Sequence, residues 1–250
     1  VVAAIDPRPG ETILEIGAGQ GQLTLPLARA GTRVIAIESD RRLADELRRS
    51  LPSEATIELL EADALRVDFR DLVRSHGAGK IRVVGNLPYS VAAPILLRLL
   101  SARECFTELV LMFQSEVAER LTAKPGTKAY GFLTVVAQRA AKVSVVFRIP
   151  PDAFRPRPRV VSALVRFEMR EVDERDNAVD EKLFRALVRG LLAHRRKTIS
   201  NNIKHLTPSG LSREAALEAL ETMGIDPARR AETLDVEEFA EFSRICAAAL

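Results

Sequence analysis

The chain has 250 residues, 47% hydrophobic and 28% charged, a globular balance that argues against long disorder or collagen-like structure and is long enough to bury a core without covalent staples. Its two cysteines, Cys105 and Cys246, cannot form a disulfide framework, and no Cys/His cluster has zinc-ligand spacing, so no metal is expected and a cytoplasmic location fits. The 37 basic residues exceed the 34 acidic ones by +3, which alone says little about nucleic acid, and apolar stretches such as Val91 to Leu100 are too short to span a bilayer, so no membrane is expected.

The first two-thirds alternates strand and helix signals. Thr12 to Ile16 reads as a strand, followed by a glycine turn and a helix from about Gln22 to Ala30. Arg33 to Ile37 is a buried strand, and Asp40 to Ser50 a charged amphipathic helix. Thr56 to Leu60, Ile81 to Val84 and Leu109 to Phe113 are three more strands, with helical patterns between them, Val91 to Leu100 being the most apolar. This alternation implies right-handed crossovers and a parallel sheet. Val143 to Ile149 and Ala163 to Phe167 then read as two strands joined by a proline-rich loop, an antiparallel hairpin closing the sheet. Glu171 to Asp180 is a polar linker, after which Leu183, Leu187 and Leu191 recur on one helix face. Further helices are expected from Ala215 to Met223 and from Phe239 to Leu250. The expected organisation is an α/β domain over residues 1–171 and a small helical domain over 172–250.

Two runs of positive charge stand out. Arg139, Lys142, Arg148, Arg155, Arg157, Arg159 and Arg166 face a single acid, Asp152, between positions 139 and 166. His194-Arg195-Arg196-Lys197 contains no acid. Either run alone is commonly a solvated face.

Glu15-Ile16-Gly17-Ala18-Gly19-Gln20-Gly21 sits where the first strand turns into a helix. Glycines there permit close backbone approach, so a ligand can lie over the carboxyl end of the sheet. Gln22 stands where a dinucleotide fingerprint wants glycine or alanine. Glu38 ends the second strand, where a carboxylate can accept hydrogen bonds from both ribose hydroxyls of NAD or S-adenosylmethionine alike. Asp63-Ala64 follows the third strand, where an acid can accept from an adenine amino group; a helix cap is the plainer alternative.

Val84-Gly85-Asn86-Leu87-Pro88-Tyr89 follows the fourth strand, beside this crevice. The exocyclic nitrogen of adenine is a poor nucleophile because its lone pair is delocalised into the ring. Acceptors around it can bind its hydrogens and favour a pyramidal nitrogen. The Asn86 side-chain oxygen and the Leu87 carbonyl are such acceptors, Pro88 stiffens the backbone, and Tyr89 offers a face for stacking. The chemistry is positioning and electrostatics, without a strong general base.

These segments resemble the ribosomal RNA adenine N6-dimethyltransferase family. Glu15 to Gly21, Glu38, Asp63 and Asn86-Leu87-Pro88-Tyr89 fall in the family order, and Pro150 to Ser162 (Pro-Pro-Asp-Ala-Phe-Arg-Pro-Arg-Pro-Arg-Val-Val-Ser) is a further match. The resemblance covers essentially the whole chain. It implies a class I S-adenosylmethionine-dependent methyltransferase fold, Rossmann-like, with S-adenosylmethionine as methyl donor. It implies that Glu15, Gly17, Gly19, Glu38, Asp63, Ala64 and Asn86 hold that donor. It also implies that Asn86, Leu87, Pro88, Tyr89 and Phe154 hold and orient a flipped adenine. The family carries a Gln-x-Phe-Leu-like segment ahead of the first strand, and this sequence begins at Val1, just after its place. Part of the cofactor lid is therefore expected to be absent and cofactor binding weaker.

His194-Arg195-Arg196-Lys197-Thr198-Ile199 resembles the Arg-Arg-Lys-Thr segment of the small-subunit branch. That implies dimethylation of two adjacent adenines near the 3′ end of small-subunit (16S) rRNA, within the 30S subunit or its precursor. Arg155, Arg157, Arg195, Arg196 and Lys197 are expected to grip phosphates, and the target bases must leave their stack. A monomer with a role in subunit biogenesis is expected. The alternatives are a large-subunit rRNA adenine methyltransferase conferring antibiotic resistance and a non-catalytic assembly or nucleic-acid-binding factor on the same fold. An NAD-linked oxidoreductase is disfavoured by Gln22 and the Asn86 to Tyr89 segment.

Overall fold

The computed structural model describes residues 1–52, 56–155, 157–171, 180–206 and 211–250. It divides into two compact units, Val1–Ala118 with Lys142–Met169, and Glu119–Ala141 with Arg170–Leu250.

The first unit is built on a seven-stranded sheet. Its strands are β1 (Thr12–Ile16), β2 (Arg33–Glu38), β3 (Ile57–Glu61), β4 (Ile81–Gly85), β5 (Phe106–Gln114), β6 (Ala141–Ile149) and β7 (Ser162–Met169). The order is β3-β2-β1-β4-β5-β7-β6. The pairs among the first five are parallel, and β7 runs antiparallel to β5. The expected hairpin is present as β6 and β7 with a short 3-10 turn, Pro151–Ala153, between them; β7, not β6, docks on β5.

Strands β1 and β2 are buried almost end to end, as strands of a sheet covered on both faces must be. Ile13, Val34, Ala36, Val84, Val110 and Leu164 share one core cluster with Ile5 of α1 (Val2–Ile5), Leu27 of α2 (Thr24–Arg29) and Leu47 of α3 (Arg41–Ser50). Asp40 starts α3 by accepting from the Arg42 N–H at 2.8 Å, and Asp68 does the same for α4 (Phe69–Ser75) through the Arg70 N–H at 2.9 Å. Each cap satisfies an N–H that the helix itself leaves unpaired. The helix α5 (Tyr89–Ser101) follows β4 and α6 (Ser115–Leu121) follows β5.

Sheet order places β1 between β2 and β4, so the direction of winding reverses at β1. The crevice outside the carboxyl ends of β1 and β4 is the switch point where open α/β sheets take ligands. Ile16 pairs with Ile37 on one side and Gly85 on the other. The residues that follow these three positions therefore share one rim.

The second unit is helical: α7 (Phe132–Ala140), α8 (Glu181–Leu191), α9 (Ile199–Asn202), α10 (Arg213–Thr222) and α11 (Val236–Ala248). The expected single boundary at 171/172 is corrected here, because 119–141 belongs with the helical unit. Buried Arg139 of α7 shows why: it pairs with Glu181 at 2.8 Å and lies 4.2 Å over the Phe184 ring. Most of the expected linker, residues 172–179, lies outside the described residues. No described helix is long and apolar enough to cross a membrane.

Candidate active site

Glu15 is the penultimate residue of β1 and is buried. Burial pushes its carboxyl up to about 7; Thr24 beside it opposes the shift, and the nearby Glu38 charge adds to it. The loop after β1 then turns through three left-handed glycines, Gly17 (φ 77°), Gly19 (φ 55°) and Gly21 (φ 83°), conformations that cost other residues strain. The Ile37 carbonyl accepts from the Gly17 N–H at 2.8 Å, which ties the loop to β2.

Glu38 fastens the same loop from the side. One carboxylate oxygen accepts from the Gly19 N–H at 2.8 Å and the other from the Asp40 N–H at 2.8 Å. Each oxygen keeps a lone pair for a further donor, such as a ribose hydroxyl. Asp63 stands at the end of β3 as expected, but it also organises its own turn. Its Oδ1 accepts from the Leu65 N–H at 2.9 Å, and Oδ2 lies 3.7 Å from Arg66. Ala64 is buried beside it.

At the end of β4, Asn86 is exposed and Leu87 buried. Among the described residues, no donor or acceptor reaches the Asn86 side chain or the Leu87 carbonyl. Pro88 holds the N-cap position of α5, with φ −57° and ψ 131°. Tyr89 opens the helix, and its hydroxyl lies 2.6 Å from the Ser162 Oγ. A Cβ on Gly17 would sit 3.5 Å from the Asn86 carbonyl oxygen and 4.0 Å from a Leu87 methyl. The glycine loop and the Asn86 segment are thus in contact.

Phe154 is half-buried at the exit of the Pro151–Ala153 turn, its N–H donating to the Pro151 carbonyl at 3.2 Å. Pro156, part of the matched segment, lies outside the described residues. Arg155 is exposed, and Arg157 is exposed and paired with Asp152 at 2.9 Å.

The first basic run is largely internal bookkeeping of charge. Besides Arg139, Lys142 pairs with Glu168 at 3.4 Å, and Arg166 with Glu108 at 3.0 Å; Arg148 donates to Ser115. Arg155, Arg157 and Arg159 are exposed in the loop between β6 and β7. In the second run, Arg196 and Lys197 are exposed, whereas Arg195 is half-buried and bound to the Thr127 and Tyr130 carbonyls and to Glu232. The segment is a turn ahead of α9.

Reasoning from the sequence passed over two contributors. Ser162 is fully buried and pairs with Gln114 at the carboxyl end of β5; its place closing the proline-rich segment was the available signal. Gly85 has no positive φ, and its need for a bare Cα comes from packing alone.

Carboxylates at the ends of β1, β2 and β3, a backbone cradle and an unpaired amide oxygen form a polar, cation-tolerant crevice, which fits an adenosine ligand carrying a sulfonium. Residues 1–248 match the family model for ribosomal RNA adenine dimethylase. The chain belongs to the ribosomal RNA adenine dimethylase family. It is 42% identical over 240 residues to ribosomal RNA small subunit methyltransferase A of Geobacter metallireducens, covering 96% of this chain and 86% of that one. The like-named protein of Moorella thermoacetica is also 42% identical, over 98% and 85% of the two chains. A dimethyladenosine transferase from Plasmodium falciparum superposes with a TM-score of 0.77 at 27% identity, over 96% of this chain and 91% of that one. The 23S rRNA methyltransferase ErmE shares the fold, with a TM-score of 0.66 at 24% identity over 98% and 95%. This family member is an S-adenosylmethionine-dependent rRNA adenine methyltransferase with the class I fold expected from the sequence.

Proposed function

We propose that this chain dimethylates two adjacent adenines near the 3′ end of 16S rRNA, acting in the cytoplasm as a monomer on the small ribosomal subunit or its precursor. The pairing state of two acceptors carries the reading: the Asn86 side chain and the Leu87 carbonyl lie unpaired at the switch point, against the glycine loop. The names of the relatives from Geobacter and Moorella favour the small subunit.

S-adenosylmethionine, when bound, supplies a methyl group on a sulfonium. Glu15, Gly17, Gly19, Glu38, Asp63, Ala64 and Asn86 hold it, with Glu38 using its remaining lone pairs and the glycines their open backbone. Asn86 and the Leu87 carbonyl accept the two hydrogens of the adenine amine and turn its lone pair outward. Pro88 fixes the direction of that carbonyl. Tyr89 and Phe154 hold the ring once it has left its stack. Proton loss follows attack, so no side chain serves as a strong base. Arg155, Arg157, Arg196 and Lys197 meet phosphates.

The test is transfer of labelled methyl groups to purified small and large subunits from an unmethylated strain, followed by nucleoside analysis. The expected product is N6,N6-dimethyladenosine in small-subunit RNA, abolished by Asn86→Ala. Label confined to large subunits would assign the chain to the other substrate. Subunit binding without any transfer would make it an assembly factor.

A further inference from the structure

Within the helical unit, the loop 124–130 and the turn 194–197 border a groove of about 930 Å³. Lys128, Arg196 and Lys197 line it, all exposed. None of these three side chains has an ion pair or hydrogen bond among the described residues. Glu232 is the one carboxylate of the lining, and Arg195 neutralises it at 2.8 Å.

Arg195 does something different from its neighbours. Its guanidinium donates to the Tyr130 carbonyl and, at 3.0 Å, to the Thr127 carbonyl. With the Glu232 pair, these contacts clamp both ends of the segment that carries Lys128. The Glu232 carbonyl accepts from the Gly126 N–H at 2.7 Å and fastens the same loop again. Gly126 turns there with φ 80°. The planar fork spans two carbonyls and a carboxylate from separate nitrogens, whereas the three donors of a lysine all sit on one nitrogen.

Three exposed cations around an open groove do not enclose a small anion. They suit a polyanion, whose binding is driven by release of condensed counterions. Among the described residues the His194 imidazole is the lining's one ring and no Phe, Tyr or Trp joins it, so the groove reads chiefly the backbone. On the reading above, that polyanion is ribosomal RNA. We infer that Lys128 contacts an rRNA phosphate in this groove together with Arg196 and Lys197, and that Arg195 is the positioning residue that holds Lys128 in place. Lys128 belongs to no basic run, and the fold brings it to the second one.

The experiment measures binding of the full chain to unmethylated small subunits across a range of monovalent salt. Lys128→Ala is expected to weaken binding about fivefold and to flatten the log–log salt slope by about one. Affinity for S-adenosylmethionine and the melting temperature should not change. Arg195→Lys keeps the net charge, yet is expected to lose the same slope. Adding Lys128→Ala to it should cost little more, because both act through one contact.

A wild-type slope for Lys128→Ala overturns the groove. A wild-type slope for Arg195→Lys, or additive losses, makes Arg195 an independent phosphate contact and overturns its positioning role. If Arg195→Lys fails to fold, the exposed Lys128→Ala variant still decides the groove. Slope changes on anionic phospholipid vesicles but not on subunits would overturn RNA as the occupant. Methylation by the wild-type chain is read in the same preparations. Its absence counts against the proposed substrate, whereas intact methylation with an unchanged Lys128→Ala slope counts against the groove alone.

Discussion

The Tyr89 hydroxyl and the Ser162 Oγ lie 2.6 Å apart, joining the first residue of α5 to the first residue of β7. Ser162 is fully buried, so the bond fixes the tyrosine ring from behind. Tyr89 is the residue proposed to stack on the adenine, and its ring angle is therefore set by a residue remote in sequence. Ser162→Ala should lower kcat/KM for methyl transfer about fivefold, the worth of roughly 1 kcal/mol for one partly buried hydrogen bond. Tyr89→Phe should cost a similar amount, and the double variant no more than either alone. Tyr89→Ala, which removes the ring, should cost far more. Single-turnover rates on small subunits measure all four. Additive losses would show that Ser162 acts elsewhere.

Glu38 links cofactor affinity to loop order. Its two oxygens accept from Gly19 and Asp40, each at 2.8 Å. Glu38→Gln puts an NH2 group against one of those N–H donors. Bonds to charged groups are worth about 1.5–3 kcal/mol each, so the dissociation constant for S-adenosylmethionine should rise at least about tenfold. Calorimetric titration decides it, and an affinity within about twofold of wild type would remove Glu38 from the proposed binding set.

Glu15 makes stability depend on pH. Its carboxyl is raised to about 7 from 4.5, chiefly by burial. Below 4.5 it is protonated in both the folded and unfolded chains. Between 4.5 and 7 the unfolded chain ionises while the folded one resists, so stability falls as pH rises through that window. Above it the loss is complete, on the order of 3 kcal/mol. Glu15→Gln removes this component. Denaturant unfolding at pH 5 and pH 8 should show a smaller difference for Glu15→Gln than for wild type, with the variant the more stable at pH 8. An unchanged difference would mean that the folded protein ionises Glu15 freely.

The sheet was legible because its signals are local. β1 and β2 are short apolar runs punctuated by glycine and acid, and their alternation with helices implied a parallel sheet, while the strand order came from the folded chain. The rim residues after β1, β2 and β4 were legible for the same reason: a switch point is a property of order, not of contacts. Helix α7 was not, because Thr134, Val135, Val136, Ala137, Arg139 and Ala140 are buried around most of its circumference, which erases the polar face that periodicity needs. The charge runs misled for a related reason. Arg139 and Arg195 read as surface cations, yet their partners Glu181 and Glu232 are distant in sequence. Pairing across such distances is visible only in the folded chain.

Gly85 shows the same limit in a single atom. A Cβ built there would stand 2.8 Å from the Ile16 carbonyl oxygen and 3.2–3.3 Å from methyl groups of Leu87 and Leu111. The Leu side chains can yield, but Ile16 is locked in register with β2 and β4. Gly85→Ala must therefore push β4 outward where Asn86 leaves it. Overpacking of this kind costs about 1–3 kcal/mol, a fall in melting temperature of about 2–4 °C per kcal/mol for a chain of this size. Because the displacement falls on Asn86, methyl transfer should drop by more than the lost stability accounts for, while S-adenosylmethionine binding changes less. Gly79→Ala is the control, since a Cβ there meets nothing within 4 Å and its φ is not positive. Melting curves and single-turnover rates for the two variants test this pair. Equal behaviour of Gly85→Ala and Gly79→Ala would show that β4 absorbs the added methyl without moving the acceptor.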